Sequence, residues 1–289
     1  MPTRVVDAHT HLFPPDVIER RQHFIGQDRW FGHLYENPRA KLAAAVDIIE
    51  SMDLAGVRLS IVCGFPWADP GLCREQNDFM AETCGLAPDR LAFLGIVVPT
   101  SADAANEAER CFAMGAVGIG ELNADAQAFD LRQPMDMQGL MEICAAHEKP
   151  VMLHATEPIG HDYPGKGAST PERLVTWLTE YSRQPVVLAH WGGGLPFYEL
   201  MPEVHAVTRN VVYDSAATTY LYRQQVFEQV SALAGSERVL FASDYPILRQ
   251  DRLLRRVERT MGSQPGFSAL VGGNADRVYG LGDMEVARR

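Results

Sequence analysis

Two histidines stand one residue apart in Val5-Val6-Asp7-Ala8-His9-Thr10-His11. The apolar residues before them read as a strand, in which side chains two apart project to the same side. His9 and His11 would then leave one strand end together. Neutral imidazole is a common ligand for zinc and related ions, so the pair is half of a metal site. Other ligand-type side chains close later apolar runs: Glu121 in Gly118-Ile119-Gly120-Glu121, His154 after Val151-Met152-Leu153, His190 after Val186-Val187-Leu188-Ala189, and Asp244 after Phe241-Ala242-Ser243. Each alone has a bland explanation. A histidine after an apolar run is usually a satisfied core residue, and an aspartate before Tyr245-Pro246 is usually a turn cap. Six such groups at five strand ends are hard to explain as independent packing if those ends share one rim.

The elements that would bring them together are eight apolar runs, at 5–12, 58–65, 91–99, 116–123, 150–156, 185–191, 210–216 and 238–246. They are nearly continuous rather than alternating, as expected of parallel strands buried on both faces. Helical patterns lie between them: Leu42, Val46 and Ile49; Met137, Leu140, Met141 and Cys144; Leu174, Leu178 and Tyr181; Tyr222, Val226, Val230 and Leu233. Each steps by three or four residues. Thr170-Pro171-Glu172 reads as a helix start, with Thr170 as the cap. The alternation predicts an α/β fold, a closed (β/α)8 TIM barrel with an extended loop after strand 1. An open doubly wound sheet is the runner-up, lowered because no glycine-rich phosphate fingerprint follows the first strand.

Three stretches interrupt the alternation at 13–40, 124–135 and 157–169, all leaving strand ends on the rim where barrel enzymes place their sites. The first carries Phe13, Phe24, Trp30, Phe31 and Tyr35 together with Arg20, Arg21, Arg29 and Arg39. Trp30 and Phe31 are expected to fold over the barrel mouth as a pocket wall. The arginines of the stretch 20–31 are candidates to hold a substrate carboxylate bidentately.

Composition narrows the function classes. A chain of 289 residues, 46% hydrophobic, can fill one large core, and no repeat or linker divides it, so residues 1–289 are read as a single domain. A net charge of −11 argues against nucleic acid, whose phosphates want a basic stripe. The partner expected is a small-molecule substrate. Five cysteines without a Cys-x-x-Cys pair suit reduced thiols, and no leader or long apolar run suggests a membrane, so the expectation is a cytoplasmic protein. A homo-oligomer, a dimer in the simplest case, is left open.

Three imidazoles and a carboxylate suit zinc or another borderline divalent ion with a position for water. Such an ion makes hydroxide available near neutral pH, Asp244 could accept the proton, and His190 could orient the water or polarise a substrate oxygen.

The pattern resembles the amidohydrolase superfamily, within it the branch that includes aminocarboxymuconate-semialdehyde decarboxylase. The resemblance runs over nearly the whole chain. It rests on Asp7-Ala8-His9-Thr10-His11, Pro88-Asp89-Arg90-Leu91, His154, His190-Trp191-Gly192-Gly193, Phe241-Ala242-Ser243-Asp244-Tyr245-Pro246 and Gly273-Asn274-Ala275-Asp276-Arg277. It implies metal binding by His9, His11, His154 and Asp244, with His190 close to the metal-bound water. A carbamylated lysine bridges two metals in several such enzymes. Here Lys41, Lys149 and Lys166 are the only lysines and none ends a strand on the rim. Glu121 could bridge instead, or hold a substrate or a ligand histidine. One or two divalent ions per chain, zinc first, are expected.

Two catalytic classes use such a site. The first reading is a hydrolase of a lactone, amide or ester of a small acid, acting through metal-activated water. The alternative is a non-oxidative decarboxylase of an unsaturated or aromatic carboxylic acid. A non-catalytic barrel keeping the metal as a staple is disfavoured by the presence of both His190 and Asp244.

Overall fold

The computed structural model describes residues 4–282. Eight parallel strands run in sequence order: β1 (Val6–His11), β2 (Leu59–Cys63), β3 (Leu91–Gly95), β4 (Gly118–Leu122), β5 (Val151–Leu153), β6 (Val186–Leu188), β7 (Val211–Asp214) and β8 (Val239–Leu240). The ring is completed by backbone bonds from the β1 segment to the segment following β8. Ala8 N donates to Phe241 O (2.9 Å), Asp244 N to His9 O (2.9 Å) and His11 N to Tyr245 O (2.7 Å). The protein is a (β/α)8 barrel, as the alternation predicts.

Strand residues divide between two cores. Leu59, Ile61, Met152, Val187, Val212 and Leu240 fill the barrel interior, joined by Ala275, Tyr279 and Leu281. Val62, Val151, Leu153, Val186, Leu188 and Tyr213 face outward onto the helices. This two-sided burial is why the strands read as unbroken apolar runs. In helix α12 (Gln250–Met261) the outer layer is plain to see. Leu253, Leu254, Val257 and Met261 are buried at helical spacing, with arginines exposed between them.

Several elements differ from expectation. The strands are shorter than their apolar runs, because the chain leaves the ladder as it bends over the rim. Thus His154, His190 and Asp244 stand just past strand ends rather than on them. Residues 13–40 are not an open loop but three short helices, α1 (Pro15–Glu19), α2 (Arg21–Gln27) and α3 (Arg29–Tyr35). Asp28 starts α3 by accepting from Phe31 N (2.8 Å) and holds the next connection through Ala68 N (3.1 Å). Helix α4 (Ala45–Ala55) buries Ile48 and Met52; Val46 faces solvent and Leu42 precedes the helix, so the face expected there is turned. Helix α8 (Pro171–Tyr181) begins where expected, yet Thr170 makes no side-chain capping bond. The fixed φ of Pro171 is the start signal that operates.

After His190 the backbone makes a tight left-handed turn in which Trp191, Gly192, Gly193 and Gly194 all have positive φ. A Cβ on Gly193 would lie 2.3 Å from Thr156 O, against the segment that follows β5. The turn thus needs both glycine's conformational freedom and its lack of side chain. Gly193→Ala is expected to destabilise the protein by about 2–4 kcal/mol, from backbone strain and overpacking together. Thermal or urea unfolding against the parent measures it; an unchanged midpoint would show that the turn relaxes freely.

Candidate active site

All six groups singled out from the sequence meet at one end of the barrel. His9 and His11 leave β1 with their Nε2 atoms 3.2 Å apart. Asp244 Oδ1 lies 3.1 Å from His11 Nε2 and 4.0 Å from His9 Nε2. Glu121, at the end of β4, stands in the middle. Its Oε2 is 3.4 Å from His9 Nε2, and its Oε1 is 2.8 Å from His154 Nδ1 and 3.3 Å from His190 Nε2. The donors form two abutting groups, His9 with His11 and Asp244, and Glu121 with His154 and His190.

The hydrogen bonds around the cluster decide which ring nitrogens face inward. Asp214 ends β7 and serves two elements: Oδ2 accepts from His9 Nδ1 (2.8 Å), and Oδ1 accepts the backbone N–H of His190 (2.9 Å) and of Ala216 (3.0 Å). His154 donates Nε2–H to Gly165 O (3.0 Å). A neutral imidazole has one N–H. With a cation among the donors, the N–H groups would be spent on Asp214 and Gly165, and His9 Nε2 and His154 Nδ1 would offer their lone pairs inward. Asp244 Oδ1 is buried with no hydrogen-bond partner. Buried lone pairs packed this closely repel unless positive charge lies among them, and this set of nitrogens and carboxylate oxygens fits a divalent cation.

Without a cation the cluster answers with protons. Burial opposes charge on His190, but its bond to Glu121 and the nearby Asp244 and Asp214 raise it to about 9. His9 is raised well above its ordinary value against the same opposition. Cys63 beside it is pushed up to about 12 by burial and stays a neutral thiol, so Glu121 and Asp214 carry that effect. Burial would raise both carboxyls, yet the surrounding histidines hold Glu121 well below the carboxylate range and Asp244 at about 2.

A cavity of about 520 Å³ opens above the cluster. Trp30, Leu34 and Tyr35 of α3 form one wall with Phe65; His161, Tyr163 and Gly165 form part of another. Trp30 is therefore a wall residue, as expected. Phe31 is not: it is fully buried, stacked on Trp67 at 5.1 Å. The arginines of 20–31 also miss the pocket. Arg20 pairs with Asp16, Arg21 bonds the carbonyls of Tyr35 and Asn37, and Arg29 lines a separate depression. α2 and the start of α3 turn them outward, and the cations at the mouth are Arg39 and Lys41.

Two residues here were not anticipated. Asp214 closes an apolar run as the other five do, and that position was its only signal. Asn123 lines the cavity two residues beyond Glu121. Its Oδ1 accepts from Asp125 N (3.0 Å) and Ala126 N (3.1 Å).

The amidohydrolase family model matches residues 6–281. The chain belongs to the amidohydrolase family. Among curated relatives, gamma-resorcylate decarboxylase from Rhizobium radiobacter is 27% identical over 94% of each chain. The enzyme of the same name from Rhizobium sp. (strain MTP-10005) is 27% identical over 61% of this chain and 65% of its own length. The solved 5-carboxyvanillate decarboxylase from Novosphingobium aromaticivorans, bound to manganese and 4-hydroxy-3-methoxy-5-nitrobenzoic acid, superposes with a TM-score of 0.79. It is 18% identical, with 96% of each chain covered. These relatives correct the first functional reading: they are decarboxylases, whereas the donor set had suggested a hydrolase. The same imidazoles and carboxylates serve both chemistries, so residue types alone favoured the wrong one.

Two outcomes follow from the geometry. Asp214→Asn is expected to weaken divalent-cation binding about 10–100-fold, the usual cost of losing a partner that orients a ligand histidine; competition titration with a chelating dye reads it. Trp30→Ala is expected to alter ligand affinity more than the melting temperature, since Trp30 is a half-buried wall residue. A large melting shift with unchanged binding would make Trp30 a packing residue instead.

Proposed function

We propose that this chain is a divalent-metal-dependent, non-oxidative decarboxylase of a small unsaturated or aromatic carboxylic acid. The observation that carries the proposal is the combination at the barrel mouth. A compact cluster of imidazole and carboxylate donors lies beneath a cavity walled by Trp30, Tyr35, Phe65 and Tyr163, a slot suited to a flat ring. The names of the similar decarboxylases support the reaction type.

His9, His11, His154 and Asp244 would hold the ion, with Glu121 between the two donor groups. The manganese of the neighbouring structure makes it a candidate beside zinc. When bound, the cation supplies positive charge that binds and orients the anionic substrate. The rest falls to the chain. Arg39 and Lys41 at the mouth attract an anion, and the aromatic walls hold the ring and exclude water.

The reaction breaks the bond between the ring carbon and its carboxylate. The electron pair stays on carbon, carbon dioxide leaves, and a proton takes the vacated position. His190 and Asp244 are the groups proposed to handle that proton. They face each other with Nδ1 to Oδ2 at 3.9 Å, beside the cavity they both line. Water acts only as the final proton source, not as a nucleophile.

The test is incubation of metal-loaded protein with 2,6-dihydroxybenzoate and related hydroxybenzoates in D₂O. Release of carbon dioxide with one deuterium on the carbon that lost the carboxylate is expected. His190→Gln should lower turnover by about 10²–10⁴-fold, the range of general acid–base catalysis, with metal content retained. No carbon dioxide from any aromatic acid, together with turnover of a lactone or ester, would overturn the proposal.

A further inference from the structure

The stretch 157–169 between β5 and α8 contains no helix or strand, yet it is pinned at several points. Thr156 Oγ1 donates to Gly167 O (3.0 Å), and Tyr163 donates its hydroxyl to Glu157 Oε2 (2.8 Å). Ala168 N donates to Asp125 Oδ2 (2.7 Å), a bond that crosses from the β5 connection to the β4 connection. Gly167 is moulded around that bond: a Cβ there would fall 2.0 Å from Asp125 Oδ2. Between these pins lies Gly165, whose carbonyl takes the Nε2–H of His154.

That last contact reaches the metal donors. His154 can present either nitrogen, and the other must carry the proton. Nδ1 lies 2.8 Å from Glu121, on the inner side; for it to offer a lone pair to a cation there, the proton must sit on Nε2, and a fixed acceptor opposite Nε2 holds it there. If the acceptor moves, the imidazole is free to rotate or to change tautomer, and one donor of the cluster is lost part of the time. Asp125 itself is exposed and hydrogen-bonds none of the cluster residues; its carboxylate acts on the 157–169 segment, through Ala168 N.

We infer that the 157–169 segment is a positioning element for His154, that its Gly165 carbonyl sets the ligating nitrogen, and that Asp125 is the latch holding it in place. Because His161, Tyr163 and Gly165 also line the cavity, a ligand that holds this wall in its present position strengthens metal binding. By linkage the metal strengthens binding at the wall.

The test uses Mn²⁺ alone, with the free ion counted by electron paramagnetic resonance, so no substrate or turnover is needed. Asp125→Ala removes the latch; Gly167→Ala pushes the segment off it; Asp125→Asn keeps an oxygen able to accept from Ala168 N. The first two are expected to weaken Mn²⁺ binding about tenfold, at the lower end of the range for a ligand-orienting partner, with the melting temperature of the metal-free protein unchanged. Asp125→Asn is expected to restore binding. If Gly167→Ala fails to fold, the Asp125 pair still decides the question. Parental affinity in Asp125→Ala would overturn the inference. So would weakened binding that tracks a lower melting temperature and is not rescued by Asn. A parent protein that takes up no Mn²⁺ would overturn the metal reading of the site, and this inference with it.

Discussion

Lone pairs crowded into a buried space govern this end of the barrel. His9, His11, Glu121, His154, His190 and Asp244 bring their donor atoms together where little water can screen them. Such a cluster is unfavourable as a bare set, and it is kept by what surrounds it. Asp214 orients His9 from below and fixes the backbone of His190 from the side. Asp7, beneath, is raised to about 6 by burial, although Ser243 and Gln250 hydrogen-bond it. It ties the β1 segment to the Asp244 segment through Ser243 N (2.9 Å). The barrel closure between β1 and the residues after β8 passes through the same place, so fold and site share these bonds.

The six donor residues were legible because each closes an apolar run, and a parallel barrel carries all such ends to one rim. The residues that orient them were not. Asp214 reaches His9 and His190, and Asp125 reaches Ala168, across long stretches of chain, and no spacing announces such contacts. Asp214 and His9 are 205 residues apart. The helices within 13–40 were hidden by shortness, since five to seven residues give periodicity little room to show. The arginines of 20–31 have the chemistry to bind a carboxylate but sit on the outer side of their helices. That is a matter of tertiary direction, not of composition.

The reaction type was the hardest part to read. Metal-activated water and carboxylate loss ask for overlapping donors, and the difference lies in what stands above the metal. The structure supplies an aromatic slot with a cationic mouth, and the relatives supply the precedent. Neither is visible in the spacing of histidines. The five cysteines were read as reduced thiols, and all five are free and buried. Among the described residues no helix is long and apolar enough to cross a membrane.

The aromatic wall on the α3 side is built apart from the donors. Phe31 stacks on Trp67, Phe24 and Phe65 pack around it, and Gln76 joins the Trp67 indole to the Leu12 carbonyl. None of these contacts touches a donor side chain. The segment is joined to the rest of the barrel through the outer core around Trp67 rather than through the donors. Changes at Trp30 or Leu34 would reshape the cavity wall while leaving the donor side chains untouched. A barrel organised this way can vary what its mouth admits without rebuilding the cluster beneath it.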